Sequence, residues 1–359
     1  MFLDFSFLKK KDVLIYDGAS LAIFKYIFTK NKYNVYFNRG EKINIWIFLT
    51  TIIQFKFKNY FELKKQYKIN FISACSPKVI ITFIDNNPSF YELKNLFPHA
   101  ITISIQNGVR NSNDLKIFNR KKNYTCDYFF VFSKSHRKFF SKIIKSNYID
   151  SGSLKMNYYN KRNFKRKNEI LFISQTANSA KTIERIEKYI IKNLINICKR
   201  NKIIFNILCK KNIKNILSNE IQDIKPENIL ESDGNFFSYE IIQKYNLKIF
   251  LNSTLGLESL AIGEKSYSIP LGCYKKHVNK FRLEKKVEKF GFPLKLPEQG
   301  YCWDNDFIHS RVEQKLVHLF NLKYSRWNRI HNKKKKFMNY DKKNTKLKNI
   351  LKKFKIDIN

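Results

Sequence analysis

The feature that most constrains this fold is a repeated pattern. A short unbroken apolar run closes on a polar cluster and gives way to helical spacing. Val13 to Tyr16 ends at Asp17-Gly18-Ala19-Ser20, and apolar residues at Ala22, Ile23, Tyr26 and Ile27 then follow a helical period. Val35 to Phe37 closes at Asn38-Arg39-Gly40. Val79 to Ile84 closes at Asp85-Asn86-Asn87-Pro88, Ala100 to Ile105 at Gln106-Asn107-Gly108, and Tyr128 to Phe132 at Ser133-Lys134-Ser135. A strand apolar on both faces needs cover on both faces, which is the condition of a parallel sheet between helices.

The pattern restarts in the second half. Ile170 to Ile173 ends at Ser174-Gln175-Thr176, and a helical stretch runs from about Thr182 to Arg200. Ile203 to Leu208, Leu247 to Leu251 and Ser266 to Pro270 supply further strands. Between the halves, Lys155 to Lys167 is polar and basic and reads as a linker. The chain has 359 residues, enough for two domains at roughly 150 residues each. The expected fold is α/β, with two Rossmann-like domains facing each other across a cleft. The expected boundaries are 1–155 for an acceptor-side domain, 156–168 for the linker, 169–322 for a nucleotide-donor-binding domain and 323–359 for a basic helical tail.

Charge narrows the partners. Sixty-nine Lys and Arg against 29 Asp and Glu give a formal net charge of +40. Codons rich in A and T favour Lys, Asn, Ile, Phe and Tyr together, but they do not remove acids. So basic a chain attracts anionic lipid, phosphorylated substrates or nucleic acid. The tail carries Lys333 to Lys336, with Leu347, Ile350, Leu351 and Phe354 at helical spacing. Such a helix either covers a domain edge or lies on anionic lipid. Ile43 to Phe57 is too short to span a bilayer and reads as a core-packed helix. The competing reading is a membrane-facing helix, with Trp46, Phe48, Phe55 and Phe57 close to Lys56, Lys58, Lys64 and Lys65. Met1 to Leu8 precedes Lys9, Lys10 and Lys11, the reverse of a secretory signal. The expected location is cytoplasmic, peripherally attached to the inner membrane.

Six cysteines form no CxxC pair, as expected for reduced core residues. Of the six histidines, none stands at metal-ligand spacing; His136 and His277 read as structural or solvent-exposed. Asp304-Asn305-Asp306 reads as a turn, so no metal is expected.

Ligands of open parallel sheets gather at the carboxyl ends of strands. The sharpest cluster is Ser253-Thr254-Leu255-Gly256-Leu257-Glu258, where a strand meets a helix. Its hydroxyls cap a helix or, with the free amides, hold a phosphate. Gly256 allows a ligand close to the first turn, and Glu258, one turn on, suits ribose hydroxyls. Asp17, Gln106, Gly108, Ser174 and Gln175 occupy equivalent strand ends and complete the expected substrate-binding set.

The segment from Ser253 to Gly263 resembles the donor-binding element of GT-B glycosyltransferases. It is similar to capsule, teichoic-acid and O-antigen enzymes, including the CDP-glycerol glycerophosphotransferase type. Ile81 to Phe90 and Ile103 to Arg110 are similar to strings in a family of O-antigen biosynthesis proteins. The resemblance implies a transferase that uses a nucleotide-activated donor as substrate and needs no cofactor. It implies a lipid-linked or polysaccharide acceptor, with Ser253 and Thr254 on the donor diphosphate and Glu258 on its ribose. Where relatives often carry Gln-His-Gly, Asn107 replaces the histidine. A neutral amide is no general base, so Asp85 is the preferred base, with Asp17 as its competitor. Arg110 would meet an anionic group. The alternatives are a nucleotide-sugar 2-epimerase and a basic nucleic-acid-binding protein. No nucleic-acid module is present, so nucleic acid is not the expected partner.

Overall fold

A computed structural model describes residues 2–18, 21–29, 31–54, 59–110, 114–119, 121–159, 164–176, 181, 183–232, 236–270, 289–294, 296–334 and 337–359. His277, Thr182, the Phe55 to Lys58 stretch, residues 160–163 of the expected linker, and Lys335 and Lys336 lie outside them. The chain divides into two compact units, Met1–Tyr158 with Asp341–Asn359, and Tyr159–Tyr340.

Unit 1 opens with β1 (Phe2–Asp4), β2 (Val13–Tyr16), β3 (Tyr33–Tyr36) and β4 (Lys42–Asn44). Helices α1 (Ile45–Gln54) and α2 (Tyr60–Cys75) follow, then β5 (Val79–Thr82), β6 (Ile101–Ile105), β7 (Tyr124–Val131) and β8 (Ile144–Asp150). Six of these strands form one sheet in the order β3-β2-β5-β6-β7-β8, and β1 pairs with β4 apart from it. Every pairing in the six-stranded sheet is parallel. All residues of β2 and β5 are buried, as unbroken apolar runs require. The order changes direction between β2 and β5, so Asp17 and Asp85 stand on either side of the switch point.

Unit 2 contains β9 (Lys167–Ile173), α3 (Arg185–Arg200), β10 (Ile204–Lys210), β11 (Ile229–Ser232), β12 (Tyr245–Phe250), α4 (Thr254–Ala261) and β13 (Ser266–Ser268). It continues through β14 (Gln299–Gly300), β15 (Trp303–Asp304), α5 (His309–Asn321) and α6 (Tyr324–Lys334). The sheet order is β11-β10-β9-β12-β13-β15-β14, with only the β14–β15 pair antiparallel. Direction changes between β9 and β12. The long helical stretch of the sequence is α3. Its face of Ile186, Ile190, Ile191 and Leu194 is buried, at the spacing of one amphipathic stripe.

A buried ionic cluster anchors the far end of this sheet. Lys248 Nζ donates to Glu264 Oε2 at 2.7 Å, and both side chains are fully buried. Tyr324 Oη reaches the same oxygen at 3.1 Å, and Arg166 pairs with Oε1 at 3.2 Å. Lys265, also buried, donates to the carbonyls of Leu319, Phe320 and Leu322, where the C-terminal end of α5 leaves acceptors unpaired.

Three expectations change. Residues 323–334 are no free basic tail, since Trp327 of α6 is fully buried and donates to the Gly263 carbonyl at 3.0 Å. The last helix, α7 (Thr345–Lys353), returns to unit 1 with Leu347 and Leu351 buried. Asn344 Oδ1 accepts from Asn157 at 2.8 Å, and Asn359 N–H donates to the Ile27 carbonyl at 2.9 Å. Of the two readings of this apolar face, cover for a domain edge is the one its burial fits. Helix α1 differs in the other direction: only Thr51 is buried, so it is not core-packed. Asp304 is not in an exposed turn either. It is buried, and it meets Tyr267 Oη at 2.7 Å and Lys315 Nζ at 2.6 Å. Five cysteines, at 75, 126, 198, 209 and 302, are free and buried, as small core residues are.

Candidate functional site

In unit 2 the adjacent strand ends of β9 and β12 bring together two stretches far apart in sequence. Phe250 pairs with Ile173 in register, so Ser174-Gln175-Thr176 and Asn252-Ser253 emerge side by side. Asn252 N–H donates to Gln175 Oε1 at 3.3 Å. Ser253 caps α4 with φ −65° and ψ 133°, yet its hydroxyl makes no capping hydrogen bond. Ser253 and Thr254 are both half-buried. The helix start thus presents hydroxyls and amides at the sheet edge, an arrangement that attracts phosphate.

Sequence reasoning missed Glu187. It gathers the β9 edge: Ser174 Oγ donates to one carboxylate oxygen and Gln175 N–H to the other at 3.1 Å, while Thr176 Oγ1 lies 3.3 Å from the first. Burial raises its carboxyl, against the hydrogen bonds that lower it. The available signal was a carboxylate set inside an apolar helical stripe, three and four residues before Ile190 and Ile191. This network makes Ser174 and Gln175 parts of a fixed ledge, with Ser174 Oγ already engaged.

Glu258 is buried in α4. Gly256 serves packing. A Cβ there would stand 2.2 Å from the Phe250 ring, which is itself fully buried, so the missing side chain makes room for Phe250 and not for a ligand.

In unit 1, Asp85 is completely buried and both its oxygens are engaged. Arg110 Nε lies 2.8 Å from Oδ2 and Nη2 lies 2.6 Å from Oδ1, a bidentate pair. Asn107 N–H donates to Oδ1 at 3.1 Å, and Arg110 also donates to the Asn107 side-chain oxygen. Asp85 thus holds Arg110 and the 106–108 turn through both of its oxygens. Gln106 is likewise spent on the backbone. It accepts from Phe132 N–H at 3.0 Å and donates to the Gly108 carbonyl at 2.9 Å, and it is fully buried. Across the switch point, Asp17 holds a left-handed φ of +76°, with Arg39 Nε 3.6 Å from its carboxylate. Asp17 is buried like Asp85, and Asp is one of the residue types that adopt left-handed backbone most readily. Among the described residues, no three His, Cys, Asp or Glu side chains gather as a metal site.

His136 is structural, as expected. It is buried against Phe132, with Nδ1 3.0 Å from Ser133 Oγ. Burial lowers its imidazole to about 3. As pH falls below about 6.5, the unfolded chain binds this proton and the native state does not until near 3. The stability held by the neutral ring is therefore complete above pH 6.5 and drains as pH falls, at about 1.4 kcal/mol per unit. Urea unfolding of wild type and His136→Leu at pH 7.5 and 4.5 checks this: the gap between them should narrow at the lower pH. A gap that stays constant contradicts it.

The comparisons agree with this architecture. The wall teichoic acid polymerase TagF, as its H444N variant, superposes with a TM-score of 0.54 at 13% identity, covering 97% of this chain and 90% of TagF. UDP-GlcNAc 2-epimerase of Methanocaldococcus jannaschii, solved with UDP-GlcNAc and UDP, gives 0.51 at 10% identity, covering 96% of this chain and 100% of the epimerase. TarM gives 0.48 at 13% identity, covering 84% of this chain and 60% of TarM, so the chain spans about three fifths of TarM's length. No curated protein matches in sequence. The fold is α/β with two Rossmann-like domains, the GT-B plan. A family model described as "putative O-antigen biosynthesis protein" matches residues 103–355, taking in the turn at 106–110 and the whole of α4 but not the string from Ile81 to Phe90. With well over half of its length matched, the chain belongs to that O-antigen biosynthesis family.

Proposed function

We propose that the protein transfers a sugar or polyol phosphate from a nucleotide-activated donor to a lipid-linked or polysaccharide acceptor during surface-polysaccharide assembly. The observation that supports this most is the ledge at the unit 2 switch point, where Ser174 to Thr176 and Ser253-Thr254 meet the start of α4. There the donor diphosphate rests on the helix start, held by Ser253 and Thr254, with Glu258 on the ribose. Helix amides and hydroxyls stabilise the leaving diphosphate, and no metal or other cofactor is required. In unit 1, Arg110 faces an anionic group of the substrate and Asp17 removes the acceptor proton, while Asp85 keeps Arg110 in place. The family match supports the pathway, and the fold shared with TagF and the epimerase supports a nucleotide donor. The protein works on the cytoplasmic side, peripherally attached to anionic inner membrane; nucleic acid is not its partner.

An epimerase reading shares the donor ledge and has the M. jannaschii structure in its favour. Product analysis separates the two, because an epimerase interconverts the donor with no acceptor present. The donor site itself is tested by titrating UDP and CDP by calorimetry against wild type, Thr254→Val and Glu258→Ala. Each variant should lose about 1.5–3 kcal/mol of binding, since each removes a contact to a charged or buried group. Unchanged affinity in both variants contradicts the site.

A further inference from the structure

We propose that the apolar surface formed by the first residues of unit 1 and helix α1 is where the protein docks on an anionic bilayer. This names the surface for the peripheral attachment proposed above and rests on that part of the reading, not on the transfer chemistry. Helix α1 reads Ile-Trp-Ile-Phe-Leu-Thr-Thr-Ile-Ile-Gln, without one charged side chain. It meets α2 where the Asn70 side chain donates to Thr51 Oγ1 at 3.0 Å and the Phe48 ring meets Tyr67. Much of the rest is exposed. Ile53 is 83% exposed and Phe61, at the start of α2, is 80% exposed. Trp46 and Leu49 are exposed as well.

The N-terminal segment extends this surface and is fixed to it. Strand β1 pairs with β4, directly before α1. Trp46 Nε1 donates to the Phe5 carbonyl at 2.7 Å, and the Phe7 ring stacks on Trp46 at 5.2 Å and 6°. Phe7 is 76% exposed even so. Soluble surfaces rarely leave so many large apolar groups together in water, and these are held in place by backbone pairing.

The surroundings favour lipid over protein. Exposed Lys9, Lys10, Lys64 and Lys65 stand beside the patch in sequence and outnumber the exposed Glu41 and Glu62. An apolar face with aromatics and flanking lysines suits the headgroup boundary of an anionic leaflet. A second copy of this chain would carry a net charge of +40 of its own, and like charge opposes the association of two such chains.

The test is vesicle sedimentation of the full chain with phosphatidylcholine alone and with phosphatidylglycerol added. Wild type should bind the anionic vesicles more tightly and release in high salt. Ile53→Ser with Phe61→Ser should weaken that binding at least tenfold, with the thermal midpoint unchanged because both residues are exposed. Lys352→Glu with Lys353→Glu, on α7, should leave it close to wild type. Trp46 offers a second readout: Trp303 and Trp327 are buried, so a blue shift of emission on adding anionic vesicles reports Trp46 entering lipid. If wild type binds and the Ile53/Phe61 double variant binds equally, attachment stands and this surface is wrong. If wild type binds neither vesicle, the attachment itself is wrong. A dimer in sedimentation velocity that the same double substitution dissolves would assign the surface to a second copy and overturn the proposal.

Discussion

Replacing Asp85 by alanine should lower the unfolding free energy by about 3–5 kcal/mol, the cost of leaving one member of a buried ion pair without its partner. Arg110 would keep its charge in a site where its side chain is only 14% exposed, and the 106–108 turn would lose the acceptor for Asn107 N–H. Desolvation works against the charged guanidinium, and Asp85, with Asp114 and Tyr91 adding to it, more than offsets it. Denaturant unfolding of Asp85→Ala, Arg110→Met and the double variant measures the pair directly. The double variant should recover part of the loss, because no unpaired charge remains. A loss below about 1 kcal/mol in Asp85→Ala would show that the pair does not hold the turn. The same series separates a positioning role from proton removal. Asp17→Asn should abolish turnover while nucleotide binding stays near wild type, whereas Asp85→Asn should lower both stability and turnover. If Asp85→Asn is fully stable and inactive, Asp85 is the base after all.

An effect of similar size is expected in unit 2. Glu264→Ala should cost about 3–5 kcal/mol, because Lys248, fully buried, would lose its carboxylate and Arg166 and Tyr324 would lose theirs. Glu264→Gln should cost less, since an amide oxygen still accepts from Lys248 and Tyr324. Urea unfolding of both variants decides the matter. Equal losses would mean that the charge matters there, and that shape and a retained acceptor do not make up for it.

The strand ends were legible in the sequence because a doubly covered parallel strand leaves an unbroken apolar run that stops where the chain turns outward. That is why Asp17, Asp85, Ser174 and Ser253 could be read as neighbours of a sheet edge before any coordinates. What each side chain does there was not legible. Asp85 and Gln106 are spent on Arg110 and on backbone groups, and those partners are chosen by strand order, not by local pattern. Gly256 looked like a ligand approach because the Phe250 ring that fills its space sits across the turn from it. Glu187 hid within an apolar stripe. Helix α1 misled for a related reason: apolar residues all round a helix signal burial, and composition does not say whether the cover is protein. The C-terminal helix misled in reverse, since its docking depends on Asn157 and Ile27, far away in sequence.

The return of residues 341–359 to unit 1 has a consequence for how the polypeptide is made. Unit 2 is an insertion within unit 1, bounded by Tyr159 and Tyr340. A ribosome therefore releases the whole of unit 2 before the helix that completes unit 1. Unit 2 can close on contacts that are all local to its own stretch of chain. Unit 1, though translated first, must wait with Ile27 and Asn157 uncovered until the last segment emerges. Loop closure across so long an insertion adds little entropy per doubling of length, so the burden falls on timing. Unit 1 therefore closes only after the whole of unit 2 has been made.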